Sequence, residues 1–244
     1  MKAQELFQAG KLDEAVQALG AELRDNPADA KRRTFLFELL CFSGDYARAE
    51  KQLDVLASDG RQAEMGALLY RAALHAERIR QTIFEKQDYP LTGPEPETST
   101  SGTGATGTVN GKPFEFFSDA DPRLGERLEV FAAGDYLWIP LQHVASVELQ
   151  APTRLRDLLW IPAIVRTGAS FKGKELGEVL LPVLSPLSWK HSDNQVRLGR
   201  ATDWQDDGTG KIVPVGQKIF AVDDDEIAIL EIRKLEFAAA QAAP

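Results

Sequence analysis

Cysteine is almost missing from this chain. Cys41 is the only one in 244 residues, so no internal disulfide can form. Its neighbours Leu39, Leu40 and Phe42 mark it as a small apolar filler on a helix, and no nearby histidine would turn it into a reactive thiolate. Long hydrophobic runs are missing too. Nothing approaches the roughly 18 consecutive apolar residues needed to span a bilayer. The opening Met1-Lys2-Ala3-Gln4-Glu5-Leu6-Phe7 has no apolar stretch of the secretory kind. A cytoplasmic protein without membrane insertion is expected. Basic charge is also short. There are 28 Lys and Arg against 37 Asp and Glu, a net charge of −9. Nucleic acid and anionic membrane surfaces both call for the opposite sign.

The signatures of chemistry are equally sparse. No Gly-x-Ser-x-Gly elbow exists, and none of the three histidines shares a ligand spacing with another His or Cys. A triad assembled from distant positions stays open for His143 and His191. The acidic run Asp223-Asp224-Asp225-Glu226 lacks the alternating oxygen ligands and central Gly of a calcium loop, and reads as a solvated hairpin tip. Gly102-Thr103-Gly104-Ala105-Thr106-Gly107 has no Lys-Ser/Thr ending and no strand before it, so it is no phosphate loop. No catalytic residue, cofactor or metal is expected.

What the chain does contain is a repeat. Gly10-Lys11-Leu12-Asp13-Glu14-Ala15 is echoed 34 residues later by Gly44-Asp45-Tyr46-Ala47-Arg48-Ala49, and Leu6 and Leu19 by Leu40 and Leu53. That period is one tetratricopeptide unit of two helices. Gly supplies the turn, the small Ala lets the helices cross closely, and Leu fills the seam. Helices are expected over about 2–9, from Leu12 to Asn26-Pro27, from an Asp29 cap to Phe42, over 46–57, and over about 62–86. The last should turn Leu68, Leu69, Ala72, Leu74, Ala76, Ile79 and Phe84 inward, leaving His75, Glu77 and Arg78 on a solvated face. Stacked helix pairs offer concave surfaces that hold segments of other proteins.

Composition shifts at about residue 88. Residues 88–110 are rich in Pro, Gly, Ser and Thr and read as a flexible linker. Residues 111–244 read as short strands with frequent turns: Pro113–Phe117, Arg127–Phe131, Tyr136–Pro140, His143–Leu149, Leu159–Arg166, Gly177–Leu184, Val196–Arg200, Ile219–Val222 and Ile227–Phe237. Pro152–Leu158 reads as a helical turn and Lys172-Gly173-Lys174 as a hairpin turn. The expected fold is therefore multidomain, α and α+β: a TPR-like helical repeat domain over 1–87, then a β-rich α+β domain with a curved sheet or small barrel.

Two segments combine Arg, Asp and Trp within a few residues. One holds Arg156, Asp157 and Trp160; the other holds Arg200, Asp203 and Trp204. Trp and Arg dominate protein–protein hot spots, but the same trio also makes an internal ion pair with an indole packed over it. Both readings stay open. These segments also carry a resemblance. Gly134-x-Tyr136-x-Trp138-Ile139-Pro140, Arg156-Asp157-Leu158-Leu159-Trp160-x-Pro162-Ala163, Gly177-Glu178-Val179-x-Leu181-Pro182, Leu198-Gly199-Arg200-Ala201-Thr202-Asp203-Trp204 and Leu230-Glu231-Ile232-Arg233 follow in order, with Ala76-Glu77-x-x-Arg80 before them. The chain resembles the ImpE/SciE/TagJ family, accessory proteins of type VI secretion systems. Leu184–Lys190 departs from the family's expected turn. The resemblance implies no enzymatic activity. It implies a protein partner: a helix of the small subunit of the contractile sheath, and through it the ATPase that recycles the sheath. A hydrolase or small-ligand-binding domain in residues 111–244 is the competing reading.

Overall fold

Glycines at positions 10 and 44 adopt φ of +76° and +73°, and each lets the chain reverse between two helices. The computed structural model describes residues 2–58, 60–90, 105–168, 171 and 176–238. Its helical part runs α1 (Lys2–Gln8), α2 (Leu12–Asp25), α3 (Ala30–Phe42), α4 (Tyr46–Ala57) and α5 (Arg61–Lys86). The Asp29 carboxylate caps α3 by accepting from the Arg32 N–H at 2.9 Å, and Asp45 caps α4 in the same way through Arg48. Asp59, shortly after α4, lies outside the described residues. Leu12, Ala15, Leu19, Ala49 and Leu53 are fully buried along the seam. A third unit would place its turn glycine at 78. Arg78 stands there, and α5 runs on for 26 residues with no turn.

The strand-rich part follows. Its elements are β1 (Gly107–Val109), β2 (Lys112–Phe114), β3 (Phe117–Asp119), β4 (Arg127–Ala132), β5 (Asp135–Pro140), β6 (Val144–Leu149), β7 (Trp160–Thr167), β8 (Gly177–Pro182), the short helix α6 (Asn194–Arg197), β9 (Thr202–Asp206), β10 (Ile212–Gly216), β11 (Ile219–Val222), β12 (Asp225–Ala228) and β13 (Lys234–Phe237). Eight strands form one sheet in the order β2-β1-β13-β6-β7-β8-β4-β5. The sheet is not closed, which corrects the small-barrel alternative. Its two edges are β2, where Pro113 blunts pairing, and β5, which is covered by α5 through Trp138 and Phe84 at 5.9 Å. A second sheet, β12-β11-β3, closes the core on the far face, where Phe117 stacks on Phe220 at 5.0 Å.

Other expectations also shift. The reading of Val196–Arg200 as a strand gives way to the end of α6, because Asp193 caps the helix through the Gln195 N–H at 2.8 Å and Gly199 ends it at φ +66°. The long final strand from Ile227 is broken by a 3-10 turn over Ile229–Glu231. Ile229 and Ile232 are both buried, and a three-residue spacing needs a turn rather than an alternating strand to bury both. The expected linker ends earlier than 110, since Gly107–Val109 pairs with β13 and β2. Its residues 91–104 lie outside the described residues, as do Lys172-Gly173-Lys174.

The odd-numbered helices face the strand-rich part. Phe7 of α1 lies under the Arg200 guanidinium, 4.9 Å from ring centroid to Cζ. Phe37 of α3 packs 6.4 Å from the Trp160 ring, and every residue of α3 from Leu36 to Phe42 is buried. The repeat turns meet the second part as well. A Cβ on Gly44 would lie 2.4 Å from the Trp189 ring, whereas one on Gly10 would meet mainly the amide end of Gln195. Gly44→Ala is therefore expected to cost about 1–2 kcal/mol for the left-handed backbone plus displacement of a packed indole. Gly10→Ala should stay near the backbone cost alone, because a glutamine tip swings aside. Urea unfolding of the two variants checks the order; equal losses would show that Trp189 is not held against the turn.

Candidate functional site

The helical and strand-rich parts meet around a set of charges buried out of water. Arg80 on α5 is 1 % exposed. Its guanidinium donates to both oxygens of Glu129 on β4, at 2.7 and 3.0 Å, to Glu77 at 3.2 Å and to the Leu184 carbonyl at 2.9 Å. Lys218 bridges the other side of Glu129, at 2.7 Å, to Asp119. Tyr136 donates to Glu129, and the Trp160 Nε1–H donates to Glu77 at 2.8 Å. Burial alone would push Glu129 up, but Arg80 and Lys218 outweigh it and hold the carboxyl at about 2. Burial wins at Asp119, which rises to about 6 despite Lys218. Glu77 was expected on a solvated face with His75 and Arg78. Those two are exposed, but Glu77 is buried, because Arg80 one turn on and the Trp160 indole give it partners that water would otherwise supply. Asp119 and Lys218 carried no motif, and Glu129 only the Leu128-Glu129 pair of the family resemblance. The signal that could have found them was a charge set inside an apolar run, as in Leu128-Glu129-Val130 and Lys218-Ile219-Phe220.

Beside this junction lies an apolar furrow of about 410 Å³. Leu69, Tyr70, Ala72 and Ala73 of α5 form one wall. Phe131, Ala133 and Gly134 at the β4–β5 turn, with Trp160, Pro162, Val179 and Leu180 on β7 and β8, form the other. Arg156 and Glu178 are its charged members. Register explains the sheet wall. Trp160, Pro162 and Ile164 stand opposite Pro182, Leu180 and Glu178, so all six point to the helix-facing side. The second half of α5 covers the Trp160 end. The Pro162–Ile164 end is open, with Ile164 37 % exposed. The α5 wall continues onto Met65, Leu68 and Leu69, which are 64 %, 60 % and 68 % exposed. Leu68 and Leu69 were expected inward; among the described residues nothing covers this side of α5, and they face solvent.

The six residues singled out from the sequence separate into two places. Arg156 lines the furrow with its guanidinium 5.3 Å from the Tyr70 ring centroid. Asp157 is buried and accepts from the Thr153 and Arg154 N–H groups at 2.8 and 2.9 Å, which fixes the 3-10 turn over Leu155–Leu158. Trp160 forms part of the furrow floor and is 2 % exposed. Arg200 sits against the α1–α2 turn, donating to the Phe7 and Gln8 carbonyls at 2.7 and 3.0 Å. Asp203 meets His191 Nε2 at 3.2 Å. Trp204 is 43 % exposed on β9, opposite Pro214. Only the first group borders the furrow.

Both histidines left open by the sequence have partners. The His191 Nδ1 accepts the Asp193 N–H at 3.0 Å while its Nε2 faces Asp203. Both ring nitrogens are engaged, so neither is placed to take a proton from a nucleophile. His143 stands next to Gln142, half-buried. Among the described residues no group of three His, Cys, Asp or Glu could hold a metal ion, and no helix is long and apolar enough to cross a membrane.

Residues 111–236 match the family model described as ImpE protein, and residues 6–72 match a tetratricopeptide repeat model. The chain is 33 % identical over 267 aligned positions to the type VI secretion system accessory component TagJ of Pseudomonas aeruginosa, covering 97 % of this chain and 91 % of that one. An X-ray crystal structure of a Vibrio parahaemolyticus protein shares the fold with a TM-score of 0.83 over 98 % of both chains, at 22 % identity.

Proposed function

The chain belongs to the ImpE family, and on that premise we propose that it is a non-enzymatic adaptor of a bacterial type VI secretion machine. In this reading it holds a helix of the small sheath subunit in the cytoplasm and links the sheath to its assembly or to the ATPase that recycles it. The observation that carries the reading is the furrow. A repeat array usually receives a peptide on its concave side, but here that side is filled by the chain's own Leu155, Leu158, Leu159 and Trp160, which join the helical core. The open apolar surface is displaced to the gap between α5 and the sheet. Its lining is of the kind that takes the apolar stripe of an amphipathic helix, and the Arg80–Glu129 ion pair buried beside it ties α5 to β4.

A labelled peptide of the sheath-subunit helix, titrated with the full chain and followed by fluorescence anisotropy, should bind with a dissociation constant on the order of micromolar. A flat titration into the high micromolar range would remove this reading. The competing hydrolase reading finds no support in the engaged nitrogens of His191.

A further inference from the structure

We propose that the furrow is an unfilled helix position in the repeat array, occupied by one amphipathic helix of another protein whose N-terminal end lies at Arg156 and whose C-terminal end lies at Glu178. This rests on the adaptor reading above and adds to it the seat and the direction.

The array supplies the first argument. Helices α1 with α2 and α3 with α4 are complete pairs, while α5 is the first helix of a third pair that has no second member among the described residues. Repeat arrays cover such a face with another helix or give it a polar cap. Among the described residues the outer side of the first half of α5 has neither. Met65, Leu68, Leu69 and Ala72 fall at i, i+3, i+4 and i+7, an apolar stripe turned away from α4, whose Asp54 and Glu50 instead pair with Arg71 and Arg78 on another side of α5. A stripe at that spacing is what one helix offers another.

Close approach is built in. Gly134 sits with φ +96°, and a Cβ there would already lie 3.7 Å from the Ala72 Cβ. Small residues at the base of both walls leave the depth of the furrow to the incoming side chains. On the sheet wall Pro162 and Ile164 present apolar surface without hydrogen-bonding demands, which suits a helix whose own backbone is satisfied.

Charge sets the direction. Arg156 precedes Trp160 at the start of β7, and Glu178 pairs with Ile164 four residues further along that strand. The Trp160–Ile164 interval is about 13 Å of strand, which about nine residues of α-helix would cover. The two charges therefore mark opposite ends of the furrow. The Arg156 Nε is buried with no hydrogen-bond partner, its nearest carboxylate oxygen being Asp157 Oδ1 at 3.5 Å. Glu178 is exposed and has no ion pair among the described residues. A helix favours acidic residues in its first turn and basic residues in its last. Only one direction brings the acidic turn to Arg156 and the basic turn to Glu178. The occupant is then about three turns long, apolar at i, i+3, i+4 and i+7, with Asp or Glu at its start and Lys or Arg at its end.

The test uses the full chain and the labelled sheath-helix peptide. Leu69→Glu and Leu68→Glu change exposed positions, so the fold should be retained, and each is expected to weaken binding at least about tenfold. Ile212→Ser, exposed on β10, should leave binding unchanged. A benzophenone at the peptide's first residue should crosslink to the segment around Arg156, and one at its last residue to the segment around Glu178. Binding that survives Leu69→Glu overturns the seat while leaving the adaptor reading standing. Crosslinks in the reverse order overturn the direction. A peptide that does not bind the wild-type chain removes the adaptor reading and this inference together.

Discussion

Replacing Arg80 with Ala is expected to lower the stability of the whole chain by about 3–5 kcal/mol, the range seen when one partner is removed from a buried ion pair. The size follows from what is left behind. Glu129 is 2 % exposed and accepts from Arg80 through both oxygens, and Glu77 is 7 % exposed with Arg80 as its cation. Without the guanidinium, two carboxylates face each other in a low-dielectric junction with only Lys218 to offset them. Trp138 and Trp160 border this junction, so their fluorescence should report the transition in urea. Glu129→Gln should soften the loss, since the residual charge repulsion falls. The double variant Arg80→Ala/Glu129→Gln is then expected to lie well short of the sum of the two single losses. A single-variant loss under about 1 kcal/mol, the scale of an exposed ion pair, would mean that the junction is wet rather than closed.

Much of the helical half was legible because its signals are local. Glycine turns, Asp caps at α3 and α4, and apolar residues at every third or fourth position are read from near neighbours, and all five helices begin and end close to where those signals put them. What the sequence hid depends on distance in the chain. Glu77 reads as solvated until Trp160, 83 residues on, supplies its donor. Leu68 and Leu69 read as core because periodicity records that a stripe is apolar, not whether anything covers it. Strand β1 was concealed because Gly107 and Thr108 have the composition of a linker, and only pairing with β13 more than a hundred residues away makes them a strand. The two Arg/Asp/Trp segments look alike in sequence, yet one borders the furrow and the other clamps the end of α1.

The concave face shows how the parts depend on one another. The 3-10 turn before β7 fills the space a foreign peptide would take, and it does so with Leu155, Leu158 and Leu159 from the same segment that carries Arg156, Asp157 and Trp160. Filling that face in cis fixes α3 between two layers, and it fixes the sheet relative to α5. The furrow then exists only while this packing holds. Loss of the buried charges should therefore reach peptide binding as well as stability, whereas Leu69→Glu should affect binding alone.

Glu38→Gln is expected to make the chain more stable than wild type at pH 8, by on the order of 2–3 kcal/mol. Glu38 on α3 is 7 % exposed. Burial pushes its carboxyl from 4.5 up to about 7, the Arg156 backbone N–H and charge oppose that rise, and Asp157 adds to it. An acid whose folded value exceeds its unfolded one stabilises the fold below pH 4.5 and loses that contribution as the pH rises to about 7. Asp119 acts with the same sign, between 3.8 and about 6. Glu129 acts with the opposite sign, its contribution present above 4.5 and lost as the pH falls towards 2. The wild-type profile mixes all three, so the informative quantity is the difference between wild type and Glu38→Gln at each pH. The amide keeps an oxygen to accept the Arg156 N–H but cannot ionise. The two proteins should therefore have similar stability near pH 4.5 and diverge steadily up to about pH 7, with the variant ahead thereafter. A difference that stays constant from pH 5 to 8 would place Glu38 in contact with water. Because its partner Arg156 also ends the furrow, the same titration should change peptide affinity more in wild type than in Glu38→Gln, tying the proton on α3 to the grip on the incoming helix.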